Sequence, residues 1–170
     1  MPDIKTIYLI VAFVCIILVF LVQELMARRK RKAEGELDQV RRVARELMPT
    51  SENFVTAYAR TTDASGQEGR CAVSFKPVEI YMIPLRYAGG VLEHGDPVHL
   101  TPDDLSRVKV EDGRAELYDL AGDLLFTLEV LAENVRREPT EPFQIMQKRE
   151  AKAFRDFLTD LEEQTNIVEV

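Results

Sequence analysis

Leu105-Ser-Arg-Val-Lys-Val110, Glu111-Asp-Gly113, Ala115-Glu-Leu-Tyr-Asp-Leu120, Gly122-Asp123, Leu124-Leu-Phe-Thr-Leu-Glu-Val-Leu131 is the stretch that decides the fold. Apolar residues alternate around Val108 and Val110, a tight Asp-Gly turn follows, and the alternation resumes twice more. This period of two places every second side chain on one face, and Asp-Gly is a strong hairpin signal. Two successive hairpins, or a three-strand meander, are predicted.

Upstream, the same reading gives strands at Phe54–Ala59, Cys71–Phe75 and Val78–Ile83, with a short strand around Pro97–Leu100. Ala64–Gly69 is a turn-rich connector, and Pro84 confines the end of its strand to an edge or bulge. Gly89-Gly90 breaks the pattern.

Downstream, the period changes to that of a helix. Pro139-Thr-Glu-Pro142 opens it, and Phe143, Met146, Ala153, Phe154, Phe157, Leu158 and Leu161 share one face. The acids beside that stripe, Asp156, Asp160, Glu162 and Glu163, suit a helix docked on a sheet better than one lying on a membrane. A second amphipathic helix spans Ala33–Met48, with Leu37, Val40, Ala44 and Leu47 in register and Pro49 ending it. Its seam is too short for a coiled coil, so packing against the domain is expected.

The N-terminus carries an unbroken apolar run, Ile7–Val22, followed by Arg28-Arg29-Lys30-Arg31-Lys32. A helix rising about 1.5 Å per residue needs roughly 20 residues to cross a bilayer core of about 30 Å. A single-pass transmembrane signal anchor is therefore expected over 7–26. The basic run then sets the orientation, with the N-terminus outside and the C-terminal domain cytoplasmic, in an inner or plasma membrane. The basic cluster Arg28, Arg29, Lys30, Arg31 and Lys32 is the candidate for headgroup contact. Glu24 lies one turn from Arg28 as an ion-pair partner. A cleaved leader does not fit, since the charges follow the apolar run.

The expected organisation is an extracytoplasmic 1–6, the span 7–26, a juxtamembrane segment with its helix over 27–49, a β-rich domain over 50–132, and a C-terminal helix with tail over 133–170. The fold class is α+β: one transmembrane helix plus a small antiparallel β barrel or sandwich closed by a C-terminal amphipathic helix.

Charge narrows the partners. The chain holds 22 basic and 29 acidic residues, net −7, and residues 50–170 hold 13 against 23, net −10. Such a body is repelled by nucleic-acid phosphate. The two cysteines, Cys15 and Cys71, leave no disulfide within the domain.

Catalytic patterns are missing. His94 and His99 stand five apart across Gly95 and Pro97, without a third metal ligand. Cys71 lies in an apolar alternation with Arg70 its one nearby cation, which is the setting of a structural thiol. Asp103-Asp104 after Thr101-Pro102 reads as the start of a helical turn. No enzyme, cofactor, metal site or small-molecule substrate is expected, and no stretch identifies the residues that bind a partner.

Short strands followed by one amphipathic helix, with Leu100–Val110, Glu111-Asp-Gly113 and two further strands at the centre, resemble bacterial pleckstrin-homology-like and GRAM-type domains over roughly residues 53–164. The resemblance implies that Phe154, Phe157, Leu158 and Leu161 plug the open end of a barrel. It does not imply lipid recognition, because Thr61–Arg70 carries Asp63 and Glu68 where lipid-binding members carry a basic loop. The functional expectation is a membrane-anchored adaptor or scaffold for a protein partner. The alternatives are an accessory subunit of a larger membrane complex and, behind it, a lipid-recognition domain or an enzyme.

Overall fold

Asp112 and Gly113 both take positive φ, 50° and 81°, so the loop between Glu111 and Arg114 is a two-residue turn of the hairpin type. Its strands are two of the ten among the described residues: β1 (Val55–Asp63), β2 (Glu68–Lys76), β3 (Glu79–Ala88), β4 (Val91–His94), β5 (Val98–Leu100), β6 (Arg107–Glu111), β7 (Arg114–Tyr118), β8 (Leu124–Glu129), β9 (Glu133–Asn134) and β10 (Ile145–Met146). Two long helices, α1 (Ile4–Leu47) and α2 (Lys148–Asn166), flank them, and Pro102–Asp104 is a single 3-10 turn. The computed structural model describes residues 4–48, 53–88, 91–134 and 144–166, without the side chains of 4–12, 29–31, 33, 34, 88, 91 and 166.

One antiparallel sheet runs β4-β3-β2-β1-β8-β7-β6, with β5 also paired to β3. β1 joins its two halves. It pairs with β2 along its length and with β8 through Arg60–Asp63 alone. β3 continues through Pro84 to Ala88. Pro84 falls between the β5 pairing (Ile80–Met82) and the β4 pairing (Leu85–Ala88), where no ladder bond needs its missing N–H.

Two cores share the sheet. Alternate residues Ala57, Ala59, Cys71, Val73, Phe75, Ile80 and Met82 join Val108, Ala115, Leu117 and Leu128 from the other half, and all meet Phe154, Phe157, Leu158 and Leu161 of α2. Strands from both halves reach this one cluster, so the sheet curves around α2. The intervening residues Tyr58, Ala72, Ile83 and Leu85 point the other way, onto Leu37, Val40, Ala44 and Met48. Arg41 ties that outer helix to the start of α2 through Glu150, 2.7 Å away.

Where β1 parts from β8, a side chain completes the ladder. Gln147 is buried; its Oε1 accepts from Tyr58 N–H at 2.9 Å, and its Nε2 donates to Tyr58 C=O at 2.7 Å and to Leu131 C=O at 2.9 Å. The amide thus stands in for one residue of a neighbouring strand. Two donor nitrogens and three acceptor oxygens are satisfied at once.

Several expectations are corrected. Among the described residues no helix is long and apolar enough to cross a membrane. The transmembrane helix over 7–26 is overturned, and with it the signal anchor, the single-pass membrane location, the outside N-terminus and the cytoplasmic assignment of the C-terminal domain. A span and an amphipathic segment divided near residue 27 are also replaced by one helix of 44 residues. Gly35 lies within it with open space around its Cα. The strands expected in a small antiparallel barrel or sandwich form, among the described residues, one antiparallel sheet with β4 and β6 at its ends.

The C-terminal helix begins later than expected. Met146 belongs to β10, opposite Glu133, and α2 starts at Lys148. The expected opening at Pro139–Pro142 and Phe143 lie outside the described residues.

Candidate functional site

The β2–β3 hairpin turns on Pro77 and Val78, since Lys76 pairs with Glu79. Pro77 sets φ near −65°, and Val78 takes φ +65°, the sign pattern of a type II turn. Glycine or asparagine usually fills that second position. A β-branched residue there is strained by about 1–3 kcal/mol, a cost the surrounding structure must hold in place.

Val78 is 46 % exposed, on the rim of an apolar groove of about 300 Å³. Its floor is Val55 from β1, Phe75 from β2, and Phe157 and Leu161 from α2. The floor exists because α2 covers only part of the curved sheet. Phe154 is fully buried beneath, with its ring 5.2 Å from Phe75, while Phe157, 5.0 Å from Phe75, reaches the groove.

The rim is charged. Lys76 is already engaged, 3.1 Å from Glu79 and 4.8 Å from the centroid of the Phe54 ring. Across the groove Asp156 and Asp160 stand exposed, one helical turn apart, with no ion pair or hydrogen bond among the described residues. Like charges at that spacing disfavour a helix by about 0.2–0.5 kcal/mol. The groove therefore offers an apolar floor and uncompensated negative charge on one bank.

The residues weighed in the sequence lie elsewhere. Cys71 is buried in the inner core, and burial pushes its thiol up to about 12, so a thiolate nucleophile is disfavoured there. His94 ends β4 opposite Leu85. His99 lies in β5, stacked on Tyr81 at 4.2 Å and 14°, with its Nε2 3.9 Å from Glu79. The two rings are not brought together at one centre, and among the described residues no group of three His, Cys, Asp or Glu could hold a metal ion. The Asp104 carboxylate accepts from the Thr101 hydroxyl at 2.7 Å and from its N–H at 2.8 Å, and these bonds hold its pKa down.

Arg28 pairs with Glu24 at 3.0 Å on α1, and Lys32 is exposed. The side chains of Arg29, Lys30 and Arg31 are outside the described residues.

Sequence reading missed Val78, placed at the start of a strand, and the groove that Asp156 and Asp160 line, read as acids flanking the apolar stripe. The signal for Val78 was available: Pro77-Val78 separates two alternating runs by two residues, the spacing of a hairpin loop. No family model and no curated protein matches the chain.

Proposed function

We propose that this chain is a non-enzymatic adaptor or scaffold that binds a protein partner through the groove between the β2–β3 hairpin and α2. The observation that supports it is Val78, a strained β-branched residue whose side chain walls an apolar groove. Strain of this kind persists where a side chain is needed at a place the backbone disfavours. The groove is open along α2 and sits at the lower end of the roughly 300–1,000 Å³ usual for ligand sites. It suits one or two apolar side chains of a partner better than an enclosed cofactor. Likeness to the pleckstrin-homology superfold is proposed on element order alone, and supplies no function.

The test is a photo-crosslinking residue placed at Val78 in the full chain, in its native cells, with Leu120 as control. Leu120 is 72 % exposed on the β7–β8 turn. A discrete crosslinked protein from position 78 and not from 120 is expected. Equal yields from both positions would sink the groove as a docking site.

A second reading, an accessory subunit of a larger complex, is favoured by α1. Phe13, Phe20, Leu25, Met26 and the apolar residues among them are between 43 and 67 % exposed on all sides of the helix. A helix apolar around its circumference is normally covered. A crosslinker at Phe20 that captured a defined protein would favour this reading over the groove.

A further inference from the structure

We infer that the occupant of the groove is a partner segment presenting a bulky apolar side chain flanked, about one turn away, by Lys or Arg. This deepens the adaptor reading and rests on it. Phe75, Phe157 and Leu161 supply the apolar contact, and Val78 closes one side. The opposite bank, Asp156 and Asp160, holds two exposed carboxylates at i and i+4 with no ion-pair partner among the described residues, the nearest helix cation being Lys152 one turn before Asp156. A cation from the partner relieves their mutual repulsion and gains charge-assisted hydrogen bonds. An acidic segment meets the same pair, and a domain of net −10 behind it, as repulsion. Lys76, the one cation lining the groove among the described residues, is already held by Glu79, so it does not offset this preference. An amphipathic helix laid in the groove meets both requirements, its apolar anchors on the floor and its basic residues along α2.

The probe is a pair of fluorescein-labelled amphipathic peptides with the same leucine face, one with lysine and one with glutamate on the polar face, titrated against the full chain by anisotropy. The lysine peptide is expected to bind at least tenfold tighter than the glutamate peptide. Asp156→Lys with Asp160→Lys should remove that advantage. Glu93→Lys with Asp96→Lys changes net charge equally, at exposed sites by the far end of β3, and should leave most of it. Unaltered thermal melting of each variant excludes misfolding. An equal loss in both double variants would overturn the inference, because net charge alone would then account for binding. Tight binding of the glutamate peptide that Val78→Gly weakens would overturn the partner's chemistry and leave the groove standing. If neither peptide binds in a Val78-dependent way, the adaptor reading at this groove falls too.

Discussion

The two halves of the sheet are built differently. β1–β3 are covered on both faces, by α2 within and by Leu37, Val40 and Ala44 of α1 outside. β6 and β7 bury alternate residues only, and β8 adds Thr127 beside Leu128. The consequence is written along the strands: five successive residues of β2, Cys71–Phe75, are buried, whereas buried and exposed positions alternate along β6. Double cover makes a strand's neighbours, rather than its own pattern, decide what is inside. It also leaves Ser74 buried, with its hydroxyl 2.8 Å from Thr56. The groove lies at the end of the doubly covered half, where α2 stops covering the β2–β3 turn.

The comparison can be broken by mutation. Phe154, fully buried beneath both halves, should be the most costly truncation. Phe154→Ala is expected to destabilise by roughly 3–5 kcal/mol in denaturant melts, and a loss below about 1 kcal/mol would mean that α2 does not organise the sheet. On the outer face Leu37→Ala should cost roughly 2–5 kcal/mol. Hydrogen exchange should show faster opening in β1–β3 than in β6–β8. Uniform loosening of both halves would contradict a second core confined to one of them.

Gln147 is the joint between the halves. Gln147→Leu keeps the bulk but removes the bonds to Tyr58 and Leu131, and should cost roughly 1–3 kcal/mol for each buried backbone group left unpaired, less any relaxation toward water. Stability equal to wild type would show that the parting of β1 and β8 needs no bridge.

A dependence on pH tests how dry the doubly covered half is. Burial raises the Cys71 thiol from 9.0 to about 12. A raised pKa means that its stabilising contribution is complete below pH 9 and lost as pH climbs toward 12. Wild type should therefore fall relative to Cys71→Ala by about 1.4 kcal/mol per pH unit above pH 9. Parallel stability curves for the two proteins would place water at Cys71.

How much of this was legible follows from the kind of information each feature needs. The meander from Leu105 to Leu131 and the stripes Leu37/Val40/Ala44 and Phe154/Phe157/Leu158/Leu161 are local periodicities, readable because one buried face imposes a period of two or of three to four. β3 was read only to Ile83, because Pro84 argues against a strand unless the gap between β5 and β4 is known. The late start of α2 depends on Gln147 and on β10 pairing with β9, which no window around residue 146 contains.

By itself the sequence determined the alternating strands, the two amphipathic stripes and the acidic balance of the domain, because each is a property of neighbouring residues. Tertiary structure alone decided the rest: α1 as one helix through Gly35, the amide of Gln147 bridging β1, and the groove. Val78 and Asp160 are far apart in the chain and come to face each other only because the sheet curves around α2. Such long-range geometry depends on how two faces pack, which leaves no local period to read.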